Sequence, residues 1–416
     1  MLSREENELL TRVGPGTPMG ETLRRYWIPA LEADELKEPG GPPVRAPLLG
    51  ENLIAYRDGS GKIGFMQEGC LHRGASLFYG RNEPDGLRCI YHGWKYDVCG
   101  NILEVPNAPE GNIYQGKIRL KSYPGRELGG VIWVYMGPPD KMPAIPEFEW
   151  IKLPHTHKHI VKVALDCNYL QGIEGGVDSS HISFLHRRVG DDEAGALQSQ
   201  DTAPRLEAQD TNYGFRYGSI RRVKSDNGEK KEYVRITPFI MPWYTMTPSE
   251  SADDQVSRLF HAWVPIDDEK TWVYYLKYCP GRPITEKDVS NYVLERDDNF
   301  GKIRNRANDY LIDRKKMHTK GEWWAGIDGL LNQDAAVQES AGAIYERNQE
   351  HLVSGDIAVV KVRQIFLGAV RAVQAGNNPP AVDPAIKFER IRSEKILVAA
   401  GTPWKDLGVL EGIKGD

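Results

Sequence analysis

Two pairs of side chains constrain this chain more than any other feature of its sequence. The segment GCLHRGASLFYGRNEPDGLRCIYHGWKYD, residues 69–97, carries Cys70 with His72 and, after sixteen residues, Cys89 with His92. Such short spacings let each pair ride on one tight loop, while the segment between them forms strands that bring the loops together. Just upstream, NLIAYR and IGFMQ flank DGSGK (58–62), which reads as a hairpin turn. The surroundings are therefore those of a small β domain. Two metal groups suit two thiolates and two imidazoles. One is a tetrahedral zinc ion. The other is a [2Fe–2S] cluster with two Cys on one iron and two His on the other.

The remaining cysteines support a metal reading. Five in all (Cys70, Cys89, Cys99, Cys167 and Cys279) make an odd, sparse set for 416 residues, which argues against a disulfide framework. Cys99, in the turn DVCGN, is not needed as a ligand and reads as a small turn residue. The length suits two or three domains, and 40% hydrophobic with 27% charged residues is a globular composition. A net charge of -5 gives no reason to expect nucleic acid as a partner. No apolar run reaches the roughly 18 residues of a membrane span. MLSREENELL has no signal-peptide core, so a cytoplasmic protein is expected. GPGTPMG (14–20) holds two prolines and follows no strand, so it is a loop and not a phosphate cradle. No NAD or flavin fingerprint is present, and electrons for redox chemistry must come from another protein.

A second cluster lies in NYLQGIEGGVDSSHISFLHRR, residues 168–188. On a helix Glu174, Asp178 and His181 share one face, whereas His186 would point about 140° away from His181. Both histidines reach one metal only if the helix bends there, and Gly175 and Gly176 weaken it. Two His and a carboxylate suit Fe(II) with open positions for O₂. Asp178 is one candidate carboxylate. Asp334, in GLLNQDAAVQES at the start of an amphipathic helix, is another. HTHKH places His155, His157 and His159 on one side of a solvated strand entering the second domain.

CLHRGA and CIYHGWKYD resemble the two cluster loops of Rieske proteins. Nearly the whole chain resembles the large subunit of the Rieske non-haem iron aromatic-ring oxygenases, phthalate dioxygenase type. The resemblance is carried by ENELLTRVGPGTPMGETLRRYWIPAL, both loops, Asp178 with His181 and His186, and NQDAAVQES. It implies that Cys70, His72, Cys89 and His92 hold a [2Fe–2S] cluster and that His181, His186 and Asp334 bind a mononuclear Fe(II). Asp178 is then a catalytic bridge, joining His181 to His92 of a neighbouring subunit. An α+β fold is implied, with a Rieske β domain followed by a helix-grip catalytic domain whose antiparallel sheet wraps a long helix. The expected division is a helical lead-in at 1–25, the Rieske domain at 26–140 and the catalytic domain at 141–416, with the Pro-rich stretch 138–148 as boundary. Helices are expected near 286–306, 334–352 and 355–375.

The same resemblance implies a homo-oligomer, commonly a trimeric ring. O₂ is the co-substrate, and NAD(P)H supplies electrons through a separate reductase or ferredoxin-type donor. The substrate expected is an aromatic acid, dihydroxylated as phthalate is. Oxidative O-demethylation of a methoxylated lignin-derived aryl or biaryl acid is the alternative, and a Rieske electron carrier without oxygenase activity is the alternative of another class. A ring acid calls for a bidentate arginine. Among Arg205, Arg216, Arg221, Arg222 and Arg235, the expected contacts are Arg205 and Arg235, with Ser179 as a polar partner near the iron.

Overall fold

The computed structural model describes residues 1–191, 196–223, 229–249, 253–292 and 294–407. The chain opens with helices α1 (Arg4–Thr11) and α2 (Pro18–Leu23). A capping box between Ser3 and Glu6 starts α1, and Thr17 caps α2 ahead of Pro18. The chain divides into two compact units. One comprises Val13–Pro146 with Pro265–Asp268, and the other comprises Met1–Arg12, Glu147–Val264 and the stretch from Glu269 on.

The first unit holds ten short strands: β1 (Trp27–Glu32), β2 (Val44–Arg45), β3 (Leu53–Arg57), β4 (Ile63–Gln67), β5 (Arg81–Glu83), β6 (Gly86–Arg88), β7 (Lys95–Tyr96), β8 (Ile102–Glu104), β9 (Ser122–Leu128) and β10 (Val131–Tyr135). They form a six-stranded sheet in the order β1-β10-β9-β4-β3-β2 and a four-stranded sheet β5-β6-β7-β8, with antiparallel pairing. The β3–β4 turn is the expected one: Asp58 accepts backbone N–H bonds from Ser60 and Lys62. Ile54, Tyr56, Met66, Leu77, Leu87, Trp94 and Tyr96 pack around Cys70 and Cys89, so the Cys/His loops rest on this unit's core.

The second unit is built on a larger sheet. Its strands are β11 (Lys158–Leu165), β12 (Arg205–Thr211), β13 (Gly214–Val223), β14 (Lys231–Ile240), β15 (Tyr244–Thr247), β16 (Arg258–Pro265), β17 (Thr271–Tyr278) and β18 (Glu394–Ala399). The order is β11-β17-β16-β15-β14-β13-β12, and β18 pairs with β14 beyond the end of β15. Helices α3 (Tyr169–Val177), α4 (Leu330–Ser340) and α5 (Ile357–Gln374) complete it. Phe366 of α5 packs edge-on against Tyr169 of α3 and Phe239 of β14, which places the long helix on the sheet as a helix-grip arrangement requires. The first helix belongs here too. Asn7 donates to the Tyr345 carbonyl at 3.0 Å and accepts from Arg347 at 3.0 Å, and Tyr169 donates to the Leu10 carbonyl at 2.8 Å. None of the helices among the described residues is long and apolar enough to cross a membrane.

Several expected elements differ. Among the described residues of 286–305, the helical elements are a short helix, Glu286–Val289, and a following 3₁₀ turn. α4 starts earlier and stops at Ser340, followed at once by Gly342 in a left-handed conformation. His155–His157 form a 3₁₀ turn behind Pro154, and the strand begins only at Lys158. Most informative is α3, which does not bend to carry His181 but ends at Val177. Asp178 has extended φ/ψ of -76° and 121°, and His181 sits in a separate 3₁₀ turn. Glu174, expected on one helical face with Asp178 and His181, pairs instead with Arg347 and Arg363, at 2.8 and 2.7 Å. The glycines of α3 also serve a purpose other than weakening it. A Cβ on Gly176 would lie 2.2 Å from the Trp263 ring, so the helix can approach β16 only without one.

Candidate metal centres

In the first unit the two loops are the same turn made twice. Cys70 N–H donates to the Ala75 carbonyl (2.9 Å) and Gly74 N–H to the Cys70 carbonyl (2.8 Å). Cys89 N–H donates to the Trp94 carbonyl (2.8 Å) and Gly93 N–H to the Cys89 carbonyl (3.0 Å). Gly74 and Gly93 occupy the left-handed region at φ 73° and 77°, where a side chain would strain the turn. Both thiols are buried and the imidazoles half-buried, with the His72 and His92 rings 4.5 Å apart and nearly perpendicular. His72 stacks on Trp94, and the Tyr96 hydroxyl lies 3.1 Å from Cys70 Sγ. Burial pushes the Cys70 thiol up, so a thiolate there needs positive charge beside it.

The donor set discriminates between the two metal readings. Among the described residues, only His181, His186 and Asp334 bring three donors close enough to surround one ion. The four Cys and His donors of the first unit do not close around a single ion, as a tetrahedral zinc would need. Two thiols buried at one end and two imidazoles at the open end fit a two-iron cluster, which spans a wider gap. Cys99 lies exposed in its turn, its N–H held by Asp97 at 2.9 Å, and stays apart from the loops.

The second unit assembles the other centre from distant parts of the chain. His181 and His186 come from the turns after α3, and Asp334 comes from α4. Their candidate ligand atoms lie within 4.8 Å of one another. His186 Nε2 is 3.1 Å and His181 Nε2 3.8 Å from Asp334 Oδ1. Burial alone would push the Asp334 carboxyl up, but His186, with smaller help from His181 and His261, holds it below the usual range. Asp178 does not join the three. Its Oδ2 faces His181 Nδ1 at 3.3 Å, and its Oδ1 accepts from Ser180 N–H at 2.7 Å. Two imidazoles, one carboxylate and an open side onto a cavity fit an Fe(II) site with free positions.

That cavity measures about 340 Å³ and is walled by the sheet. Ser179, Arg235, Lys395, His261, Trp263 and Tyr275 are among the residues that line it. Arg235 has no carboxylate partner among the described residues; its Nη1 lies 3.4 Å from the Tyr233 hydroxyl, and its Nε is buried without a hydrogen bond. Arg221 is fully buried behind it, donating to the Ser179 carbonyl at 2.5 Å and to Ser219 Oγ at 2.8 Å. Burial, reinforced by Arg235, pushes the Arg221 guanidinium down to about 10. Arg235 therefore faces the cavity with no carboxylate paired to it among the described residues.

Arg205 is a correction. Register places Arg205 opposite Ile220, whereas Arg235 stands opposite Ser219. One residue of alternation puts the two arginines on opposite faces of the sheet. Arg205 is exposed, paired with Glu207, and outside the cavity wall. Arg222 likewise turns outward to Asp201. Two residues the sequence did not single out now stand in the site. Gln333, beside Asp334, bonds His186 Nδ1 at 2.8 Å. His261 lines the cavity with Nε2 buried and unpartnered, and burial pushes its imidazole down to about 4. Only adjacency to Asp334 could have pointed to Gln333, and nothing local marks His261.

The two candidate centres, one suited to a cluster and one to a single ion, are those of a redox enzyme class. A family model described as "Rieske [2Fe-2S] domain" matches residues 26–124, and one described as "LigXa C-terminal domain like" matches residues 134–414. The chain is 39% identical to the phthalate 4,5-dioxygenase oxygenase subunit of Pseudomonas putida, over 98% of this chain and 94% of that one. It is 34% identical to the 5,5'-dehydrodivanillate O-demethylase oxygenase subunit of a Sphingobium species, over 93% and 85%. A solved structure of the Pseudomonas putida CBB5 NdmA QL mutant with caffeine shares the fold, with a TM-score of 0.63 at 20% identity, covering 89% of this chain and 100% of that one. This chain belongs to the Rieske non-haem iron oxygenases, as an oxygenase subunit.

Proposed function

We propose that this chain is the oxygenase component of a multicomponent system that hydroxylates an aromatic carboxylate, in a phthalate-like dihydroxylation. The observation that carries this reading is Arg235, a guanidinium without a carboxylate partner, on the wall of the cavity that opens onto His181, His186 and Asp334. Its fork matches a carboxylate, and Arg221 behind it adds charge while holding Ser179 in place. A cavity of about 340 Å³ sits at the small end for ligand sites and suits one substituted ring better than a biaryl. The phthalate relative supports the same class of substrate.

The proposed ligand sets are Cys70, His72, Cys89 and His92 for the cluster and His181, His186 and Asp334 for Fe(II). Bound there, the iron supplies the oxygen chemistry on O₂, with electrons delivered through the cluster. The protein's own part is to bind and orient. Arg235 anchors the acid, Trp263 and Tyr275 shape an apolar wall, and Asp178 holds the His181 ring through Nδ1. In the working assembly, a cytoplasmic homo-oligomer read as a trimer, Asp178 would also meet His92 of a second copy. The functional division is read as 1–25, 26–140 and 141–416. Electrons are expected from NAD(P)H through a reductase or ferredoxin-type donor. The O-demethylase relative favours a second reading, demethylation of a methoxylated aryl acid. O₂ uptake with phthalates, benzoates and methoxylated acids tests both: a cis-diol marks the first, formaldehyde the second, and no coupled uptake with any acid rejects the anion-site reading. Iron analysis tests the carrier alternative, since two irons per chain in place of three would leave only the cluster.

A further inference from the structure

The two histidines of the mononuclear site are held from behind by different groups. His181 Nδ1 faces a carboxylate, Asp178, at 3.3 Å, whereas His186 Nδ1 faces the amide oxygen of Gln333 at 2.8 Å. The orientation of that amide follows from its other end. Gln333 Nε2 lies 2.7 Å from the Ile327 carbonyl, which can only accept. Flipping the amide would set oxygen against oxygen there and NH₂ against His186. Oε1 is therefore the end facing His186, and it accepts a proton carried by Nδ1. With Nδ1 committed as a donor, Nε2 is the only nitrogen of His186 able to ligate, and it is the one pointed at Asp334 Oδ1. Gln333 is completely buried, so no water competes for either bond.

We propose that Gln333 is a positioning residue for the mononuclear site: it selects the His186 tautomer, fixes the ring plane and thereby sets Fe(II) affinity. The proposal rests on reading His181, His186 and Asp334 as the iron site. Because the amide is neutral, it orients His186 without the negative charge that Asp178 places behind His181, so the two imidazoles differ in donor strength. The backbone explains why Gln333 can do this. It precedes Asp334 on α4, so one helix turn delivers the carboxylate to the ion position and the amide to the far side of the ring.

The test is Fe(II) affinity by chelator competition on the full chain with its cluster in place, circular dichroism and thermal unfolding reporting on the fold. Gln333→Met, similar in shape but without an acceptor, is expected to weaken Fe(II) binding tenfold to a hundredfold. Gln333→Glu keeps an acceptor oxygen for His186 Nδ1 but loses the donor to the Ile327 carbonyl, and is expected to bind Fe(II) more tightly than Gln333→Met, which a packing role alone would not produce. Wild-type affinity in Gln333→Met, or a Glu variant as weak as the Met variant, would overturn the proposal. Should Gln333→Met fail to fold, the Glu variant decides: binding clearly tighter than that of His186→Ala supports the role, and a loss as large as that of His186→Ala removes it. His186→Ala is also the control on the site itself. Undiminished iron binding there would reject the iron-site reading, whereas a loss there beside an unaffected Gln333→Met rejects only the role given to Gln333.

Discussion

The two centres of this chain are built on opposite plans. In the N-terminal unit, four donors come from two copies of one five-residue turn, and each turn is closed by its own backbone hydrogen bonds. In the C-terminal unit, three donors come from a broken helix end and from a helix about 150 residues further on. The first plan makes ligand geometry a local property, so the site depends little on distant packing. The second makes it a property of the packing of α3, α4 and the sheet. Damage to packing should therefore reach the iron site well before it reaches the cluster.

The largest expected effect separates the centres outright. His181→Ala should remove mononuclear iron and turnover while leaving the cluster's EPR signal intact, and Cys89→Ala should do the reverse. A variant of either kind that lost both centres would break the comparison. Mixing the two variants in one oligomer should restore part of the activity if electrons cross between copies, and none if they do not. Next comes Arg235→Ala, for which KM for aromatic acids should rise about tenfold to a hundredfold, the loss of one charge-assisted hydrogen-bonded pair. Arg205→Ala, on the other face of the strand pair, should leave KM unchanged, and equal effects would mean that the register does not decide access.

A smaller effect concerns pH. His261 is neutral when buried and charged when the chain unfolds in mild acid, so its depressed value costs stability as pH falls from about 6.5 towards 4. Replacing it with Asn should shrink the loss in unfolding free energy between pH 7 and pH 4.5 by roughly 2–3 kcal/mol, measured by urea titration at both values. An unchanged difference would mean that His261 is protonated in the fold. The smallest effect is expected from Tyr96→Phe, which removes the hydroxyl beside Cys70 Sγ and should lower the cluster potential in a redox titration, leaving iron content alone.

How much of this could be read beforehand follows the same contrast. The Cys and His spacing, the DGSGK turn and the main sheet strands are local patterns, and they were legible because turns and alternation are set by near neighbours. The convergence of His181 and His186 with Asp334 could be foreseen only by resemblance, since no spacing joins positions 186 and 334. Element extents differ from expectation where Pro154 delays a strand and Gly342 follows the end of α4. The wrong face was assigned to Arg205 because strand register, invisible in one sequence, decides between neighbours. His261 carries no motif at all and Gln333 stands unmarked inside NQDAAVQES, so their parts in the site come from what surrounds them.

The place of α1 has a consequence for synthesis on the ribosome. Asn7 leaves the exit tunnel ahead of the whole N-terminal unit, yet its partners Tyr345 and Arg347 emerge more than three hundred residues later. The intervening N-terminal unit is nearly continuous in the chain and can begin to condense early, while the opening helix must wait, unpaired, for the tail of the polypeptide to arrive. A bulky insertion just ahead of α1 would meet that late closure directly, whereas the cluster-bearing unit would mature without noticing it.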